Sequence, residues 1–419
     1  MRFLLAAALA VLLRAPALGD PPGAAPAPSG CVDCHLALGD DRVSPPAAAF
    51  ADDVHARAGL TCADCHGGDP KAEDQEVAHD RRKQFRGKPG PRQIPELCGG
   101  CHGDAARMRQ FNPSLRVDQL TEYRTSGHGK ALAKGDAMVA TCASCHGAHG
   151  VLAVTDARSP VYPTRIAETC NGCHGDSGLM AAHKLPSDIY AKYRRSVHFE
   201  TLTKKGDLSA PTCNSCHGNH GAAPPQVASV ANVCGMCHAI FADQFKASPH
   251  EAAFAEMGLP GCVTCHESHA IVHPTDEALA DGSESKCADC HEPGTKGAAA
   301  AAAMYADLKR LRENTAAAKE QLRIEAEAGM EVSRIQFDLA RADEALTKAR
   351  ADVHYFSPAA VEKAVAEGLA VTRSSREAAT RVHAERQFRR KGLFASLGLI
   401  VVAIVALAAK IRDLERREP

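Results

Sequence analysis

The stretch TCASCHGAHG, residues 141–150, contains the pattern that decides how this chain folds. It holds a Cys-x-x-Cys-His motif followed, three residues later, by a second histidine. Close variants recur as CNSCHGNHG at residues 213–221 and CVTCHESHA at residues 262–270. A pattern that returns with the same internal spacing indicates a structural unit used several times in one chain.

All 18 cysteines of the 419-residue chain belong to nine Cys-x-x-Cys-His motifs. In this motif the two thiols bond to the vinyl groups of haem c, and the histidine binds one face of the iron. Zinc ribbons, thioredoxin-like pairs and a disulfide framework explain the pattern less well, because none requires a histidine after every second cysteine. We therefore predict nine covalently bound haem c groups.

The predicted attachment cysteines are Cys31, Cys34, Cys62, Cys65, Cys98, Cys101, Cys142, Cys145, Cys170, Cys173, Cys213, Cys216, Cys234, Cys237, Cys262, Cys265, Cys287 and Cys290. The predicted proximal iron ligands are His35, His66, His102, His146, His174, His217, His238, His266 and His291.

Four copies of a doubled unit follow the leading motif, and each opens with an aromatic residue five positions before a histidine. Three copies also carry a histidine three residues after the first haem histidine. Such a histidine cannot easily reach back to its neighbour's iron, so we expect it to bind an adjacent haem. Ten histidines are candidate distal ligands and indicate bis-histidine coordination nearly throughout: His55, His79, His128, His149, His183, His198, His220, His250, His269 and His273.

The composition agrees with a core made of haem. Trp is absent and aromatic residues make up 4% of the chain, which is little for a core built from side chains. The segment from Cys31 to His291 contains 261 residues, or 29 for each motif. We predict a mainly α and irregular, haem-cored domain over residues 31–292, with haems close enough for electron hopping. The 49 basic and 50 acidic residues give no reason to expect nucleic acid.

The N-terminus predicts export. A short apolar run after Met1-Arg2, followed by small residues, is typical of a signal peptide at residues 1–19, with a linker at residues 20–30. An uncleaved anchor is the alternative. Haem is attached outside the cytoplasm in bacteria, so we expect the haem domain on the periplasmic side.

The C-terminal part predicts a helical stalk at residues 298–391, a transmembrane helix at 392–409 and a cytoplasmic tail at 410–419. A buried core helix is the alternative for the apolar stretch. We expect one long helix up to Phe356 and a second one from Pro358, as a hairpin or a coiled coil that could also join two copies of the chain. His354 and His383 lie on this stalk, and we interpret both as non-ligands.

The Ser-x-His elements (residues 126–128 and 196–198) and the CHG-x-H elements (residues 145–149 and 216–220) resemble those of multihaem c-type cytochromes with doubled motifs. The resemblance covers about residues 31–292. It implies periplasmic electron transfer between a membrane oxidoreductase linked to quinol and downstream cytochromes or a terminal reductase.

The chain is also distantly similar to the multihaem enzymes of the hydroxylamine oxidoreductase and nitrite reductase types. Nitrite reductases of that type place Lys in one motif where all nine motifs here have His. Ten free histidines could also fill every sixth position. These two features count against an enzyme. The alternative is an enzyme that acts on nitrite, hydroxylamine or tetrathionate at one open haem, and no catalytic residue is assigned.

Overall fold

The computed structural model describes residues 29–225, 230–280, 282 and 284–416. The described chain is 64% helical and contains no strand, which confirms the predicted mainly α and irregular fold. The predicted signal peptide, nearly all of the linker and the last three residues of the tail lie outside these ranges.

The chain divides into two compact units at Pro224 and Pro225. Unit 1 contains the first six motifs, and unit 2 contains the last three together with the stalk and the apolar helix. The sequence predicts a helical stalk over residues 298–391 and leaves open whether it packs on the haem domain. In the structure, the buried Asp276 carboxylate ties the segment between the last two motifs to Arg312 and Arg350 of the stalk, with N–O distances of 2.8–3.0 Å.

Unit 1 is built from short helices joined by turns. They are α1 Gly30–Leu38, α2 Ser44–Ala49, α3 Val54–Arg57, α4 Cys62–His66, α5 Gln75–Ala78, α6 Ile94–His102, α7 Ala105–Phe111, α8 Gln119–Thr125, α9 Gly127–Ala133, α10 Cys142–His146, α11 Ile166–His174, α12 Ser177–Ala182, α13 Ile189–Tyr193, α14 Val197–Thr203 and α15 Cys213–His217. Short 3₁₀ helices occupy Phe50–Asp52 and Arg81–Lys83.

Unit 2 begins with short helices and continues into long ones. They are α16 Val230–Gly235, α17 Ala239–Lys246, α18 Pro249–Met257, α19 Gly261–His266, α20 Lys296–Glu327, α21 Ser333–Asp352 and α22 Pro358–Glu415, with 3₁₀ helices at Asp276–Leu279 and Val353–Tyr355.

The stalk is a bundle of three helices, where the sequence predicts two. The expected single helix up to Phe356 is divided between α20 and α21. Gly329 adopts the left-handed conformation, with φ 80°, and its N–H donates to the Ala326 carbonyl. A left-handed residue of this kind ends a helix by capping its last carbonyls. The second predicted break is present, since Ser357 is extended and Pro358 begins α22.

Two clusters of buried side chains hold the bundle together. The first joins the beginnings of α20 and α22 to the end of α21, around Leu311, Leu346 and Val365. The second joins the end of α20 to the beginning of α21 and the middle of α22, around Leu322 and Leu339. Helix α21 therefore runs antiparallel to the other two. The stalk of unit 2 has its own hydrophobic core.

Helix α22 runs without a break from the bundle into the apolar stretch. It spans 58 residues, and its apolar window has a mean hydropathy of 2.6 with no buried residue. This is long and apolar enough to cross a membrane. A core helix would be largely buried, so the exposure of this stretch does not support that alternative.

The bundle core predicts a specific loss of stability. Leu311 is completely buried and packs against Gly368, where a Cβ atom would come within 2.8 Å of its methyl groups. Leu311→Ala should lower the free energy of unfolding of the stalk by about 2–5 kcal/mol. The measurement is the urea midpoint of the helical signal of the full chain in detergent. Phe337→Ala is the control, because Phe337 is 77% exposed; equal effects of the two substitutions would contradict the bundle core.

Candidate haem-binding sites

Most Cys-x-x-Cys-His motifs lie on short helices. Thr61, Thr141 and Thr212 begin three of them as N-caps, each in a capping box with the residue three positions later. Such a box satisfies backbone N–H groups that the first turn leaves free. Both cysteines and the histidine then project from little more than one turn, which is the spacing that two thioether bonds and one iron ligand require.

The Ser-x-His element is also a helix start. Ser126 and Ser196 accept hydrogen bonds from the backbone N–H groups three residues later, and Ser248 accepts one from His250. Asp53 has the same position in the first copy and accepts from the His55 N–H at 2.8 Å. Each opening histidine therefore stands in the first turn of a capped helix, with its direction fixed by the cap.

The aromatic residue that opens a copy connects this helix to the motif that follows. The Tyr123 hydroxyl donates to the Ala140 carbonyl at 2.8 Å, and the Tyr193 hydroxyl donates to the Pro211 carbonyl at 2.9 Å. Both carbonyls lie just before the threonine cap of a motif helix. The repeated aromatic residue thus fixes the distance between a candidate distal histidine and the next attachment site.

Seven pairs of imidazole rings lie at nearly the same separation. In each pair one histidine belongs to a motif and the other does not, and the ring centres are 5.9–6.1 Å apart. The pairs are His35 with His79, His55 with His102, His66 with His149, His128 with His174, His146 with His220, His250 with His291, and His266 with His354.

This constant separation fits a bound iron. The angles between the ring planes vary from 9° to 83°, and direct ring contacts would change the separation with the angle. Two metal–imidazole bonds of about 2 Å each, with half a ring on either side, span about 6 Å. A haem held in this way would supply the four remaining nitrogen ligands and a one-electron iron couple.

Other uses of the cysteines find no support in the part of the chain that the structure describes. All 18 cysteines lie in this part and none forms a disulfide. Within the same residues, no three or more His, Cys, Asp or Glu side chains converge on a point where a metal ion could sit. A structural zinc site needs four such ligands. The donor set fits two-histidine ligation better than either alternative.

The pairs follow the repeat. An opening histidine lies against the second motif of its own copy, as His128 does against His174. A histidine that follows a first motif lies against the first motif of the preceding copy, as His149 does against His66 and His220 against His146. The sequence predicts that such a histidine binds an adjacent haem. In the structure it lies beside the motif histidine of another copy, and the ligation itself stays a prediction.

Burial keeps many of these imidazoles in the form that binds iron. It lowers the pKa of nine of the paired rings below the ordinary value of histidine. A lowered pKa favours the neutral imidazole, and only the neutral ring has a lone pair for a metal. The affected histidines are His35, His102, His128, His146, His149, His174, His250, His266 and His354.

Two candidate distal ligands have different surroundings. His183 has Nδ1 at 2.9 Å from the Leu179 carbonyl and Nε2 at 2.6 Å from the Asp136 carboxylate. Both contacts raise its pKa and favour the charged ring, which cannot bind iron. The exposed His273 has Nδ1 next to the carbonyl of Pro274. The contacts of His183 do not support it as a ligand, whereas His198, His269 and His273 stay predictions.

The structure also places His354, which the sequence analysis interprets as a non-ligand, beside a motif histidine. His354 follows α21 of the stalk, and its ring centre lies 6.1 Å from that of His266. No repeated motif surrounds it, so the sequence offers only its position near the predicted helix break as a signal. His383, the other stalk histidine, has Nδ1 at 2.8 Å from the buried Glu325 carboxylate.

Cysteines of successive motifs meet in chain order in unit 1. The Cys98 and Cys142 side chains lie close to each other, as do those of Cys170 and Cys213. These contacts join the third motif to the fourth and the fifth to the sixth. Helix α6 accordingly packs on α10, and α11 on α15.

The remaining junctions of unit 1 involve thiols that lie near one another. Burial raises the pKa of Cys62, Cys65 and Cys145, and a cysteine of an adjacent motif raises each further: Cys31, Cys101 and Cys170 respectively. The first motif therefore lies near the second, the second near the third and the fourth near the fifth. Six attachment sites therefore follow one another in sequence order.

Unit 2 has the same arrangement. The Cys234 and Cys262 side chains lie close to each other, and helix α16 packs on α19, which brings the seventh motif next to the eighth. Burial raises the pKa of Cys265, and the nearby Cys287 and Cys290 raise it further, which joins the eighth motif to the ninth. The junctions of the first four motifs alternate between first and second cysteines, whereas Cys170 of the fifth motif lies near both Cys145 and Cys213.

A family model described as cytochrome c3 matches residues 54–174. The matched segment begins just before His55 and includes four motifs, from Cys62 to His174. It covers less than a third of the chain and confirms the resemblance of this part to multihaem c-type cytochromes. No curated protein and no solved structure is detectably similar to the chain. The number of haems and the distal ligands stay predictions.

The first of these predictions concerns the count. The mature chain from its native host should carry the added mass of nine haems, because every cysteine belongs to a complete motif. Cys98→Ala with Cys101→Ala should remove one haem and leave eight, as measured by intact mass spectrometry. Ser114→Ala with Ser209→Ala is the control and should keep nine. Zinc or no added mass in the unsubstituted chain would contradict haem attachment.

Asp53 offers a test of ligand tuning. Its side chain is 2% exposed, and it accepts hydrogen bonds from His55 Nδ1 at 2.9 Å and from the Val151 N–H at 2.9 Å. Burial alone would raise the pKa of Asp53, but these hydrogen bonds outweigh burial and hold the pKa below its ordinary value. A carboxylate in this position makes the opposite nitrogen of the imidazole more basic and fixes its direction.

Asp53→Asn should raise the reduction potential of the haem attached at Cys98 and Cys101, because a less basic His55 stabilises oxidised iron less. Spectroelectrochemical titration of the full chain measures this shift. The lowered pKa keeps Asp53 charged above that value, so the difference should persist at neutral pH and disappear as pH falls through the lowered pKa. Asp74→Asn is the control, since Asp74 caps α5 without touching a histidine. Identical titrations for both variants would contradict the role of Asp53.

Proposed function

We propose that this chain is a membrane-anchored multihaem c-type cytochrome. It carries electrons between a membrane oxidoreductase linked to quinol and periplasmic acceptors, either other cytochromes or a terminal reductase. The observation that carries the proposal is the contact of motif with motif in sequence order within each unit. Haems attached at such sites form a path along which an electron moves in short steps.

The ligand pairs support transfer over catalysis. Seven motif histidines face a second imidazole at the separation that a doubly ligated iron requires. An iron with two histidine ligands has no position for a substrate and changes only its charge. Histidine as the second axial ligand gives a lower reduction potential than methionine. We therefore expect these haems to have low reduction potentials.

The position of the anchor supports a protein partner. We place the haems on the periplasmic side and the end of α22 in the cytoplasm. Leu393 lies 35 residues after Pro358 on one helix, which is a length of about 50 Å at 1.5 Å per residue. The eighth and ninth motifs lie at the Pro358 end of the stalk, so a quinol within the bilayer cannot touch these haems. A partner that extends from the membrane supplies the connection.

Loss of one interior haem should test the path. Membranes of the native host that contain the chain are given a short-chain menaquinol analogue, and reduction of a small periplasmic cytochrome from the same host is measured. Cys142→Ala with Cys145→Ala removes the fourth haem and should lower the rate to that of membranes without the chain. The matched control is His183→Ala, which leaves every motif complete and should keep the full rate.

Two results would contradict the proposal. One is a full rate after loss of the fourth haem, because the path would then not pass through it. The other is turnover of nitrite, hydroxylamine or tetrathionate by the purified chain with reduced methyl viologen, together with a high-spin haem signal. That result would favour an enzyme with one open iron.

A further inference from the structure

The last copy of the repeat lacks the ligand source that earlier copies have. His149 and His220, each three residues after a motif histidine, lie against the first motif of the preceding copy. The first motif of the last copy ends at His266, and the sequence contains no further copy to supply it. A different part of the chain must provide the second imidazole if this iron is to have two.

His354 occupies that position. Its ring centre lies 6.1 Å from that of His266, with 18° between the ring planes. The equivalent pairs of the earlier copies have separations of 5.9 and 6.1 Å and angles of 9° and 13°. The stalk histidine therefore reproduces both the distance and the near-parallel orientation that the repeat gives to its own first motifs.

A backbone carbonyl holds one ring nitrogen of His354. Nδ1 lies 2.9 Å from the Ala351 carbonyl oxygen. A carbonyl only accepts hydrogen bonds, so Nδ1 carries the proton and Nε2 keeps its lone pair. Histidine ligands of metals commonly hold their other nitrogen in this way. His66, a motif histidine, makes the same contact with the Gly87 carbonyl at 2.8 Å.

The surroundings fix the turn that carries His354. The Phe241 ring of α17 lies 4.9 Å from the imidazole, and the Gln244 amide of the same helix donates to Asp352 at 3.0 Å. Two residues after His354, Phe356 adopts a left-handed backbone with φ 50° and packs at 3.9 Å against His250. A left-handed Phe is rare, and such strain persists only where other contacts impose it.

We propose that His354 is the distal ligand of the haem attached at Cys262 and Cys265, so that the stalk completes the eighth haem site. The bond that forms is between Nε2 of His354 and the iron, with no change in oxidation state. The inference depends on haem attachment at this motif. It does not depend on the electron-transfer role, so its test is spectroscopic.

The test uses the full chain with all its haems, purified in detergent. His354→Ala should convert about one haem per chain from low-spin to high-spin, because one iron loses its sixth ligand. The oxidised variant should show a high-spin signal in electron paramagnetic resonance, and the reduced variant should bind carbon monoxide at one haem. Added imidazole should restore the low-spin state, which a loss of folding would not allow.

The controls separate ligation from a structural role. His383→Ala changes the other stalk histidine, and His183→Ala changes a histidine whose ring is held by Asp136; both should leave the spectrum unchanged. His354→Met keeps a ligand of similar reach and should raise the potential of one haem, since methionine ligation favours reduced iron. This variant decides the matter if His354→Ala does not accumulate.

The inference is overturned if His354→Ala keeps all haems low-spin and binds no carbon monoxide. It is equally overturned if His354→Met titrates with the potentials of the unsubstituted chain. Failure of quinol-dependent transfer, in contrast, would leave these spectra unaffected and would bear only on the proposed function.

Discussion

The pairing of two imidazoles from distant parts of the chain, about 6 Å apart, is the constraint on which the haem region depends. Within the described residues, both clusters of packed apolar side chains belong to the stalk. The buried residues of unit 1 are scattered ones such as Leu132, Met180 and Leu202. Short capped helices and turns cannot bury enough surface to pay for their own order. Iron ligation by the histidine pairs, which join one segment to another, would supply the missing cohesion.

The same constraint explains how attachment order becomes spatial order. A histidine that lies against a motif histidine of the preceding copy, as His149 lies against His66, places two copies beside each other. Cysteine contacts such as Cys98 with Cys142 then bring successive attachment sites together. Distal ligation and motif contact are therefore two results of one repeat. Electron transfer needs haems that lie close together. A chain whose repeat copies supply iron ligands to one another would bring the haems together in this way.

How much the sequence reveals depends on whether a residue belongs to the repeat. An aromatic residue five positions before a histidine, together with the CHG-x-H elements, identifies five of the seven non-motif histidines in the pairs, and His79 is the sixth that the sequence names. These signals cannot separate His79 from His183, because this choice depends on Asp136, which lies 47 positions away from His183. Composition predicts the stalk, but its third helix depends on the backbone of Gly329. His354 belongs to no repeat, and only its contacts with Phe241 and His266 identify it.

The stalk is therefore joined to the last two motifs by specific contacts. Asp276 binds Arg312 and Arg350 with its buried carboxylate, and the turn after α21 carries both His354 and Phe356 to the last two motifs. Helix α22 begins directly after this turn and continues through the apolar stretch. A buried ion pair left without one partner is costly, so this junction resists separation. An anchor connected in this way fixes the orientation of the eighth and ninth sites within unit 2, whereas a flexible tether would fix only their maximum distance from the bilayer.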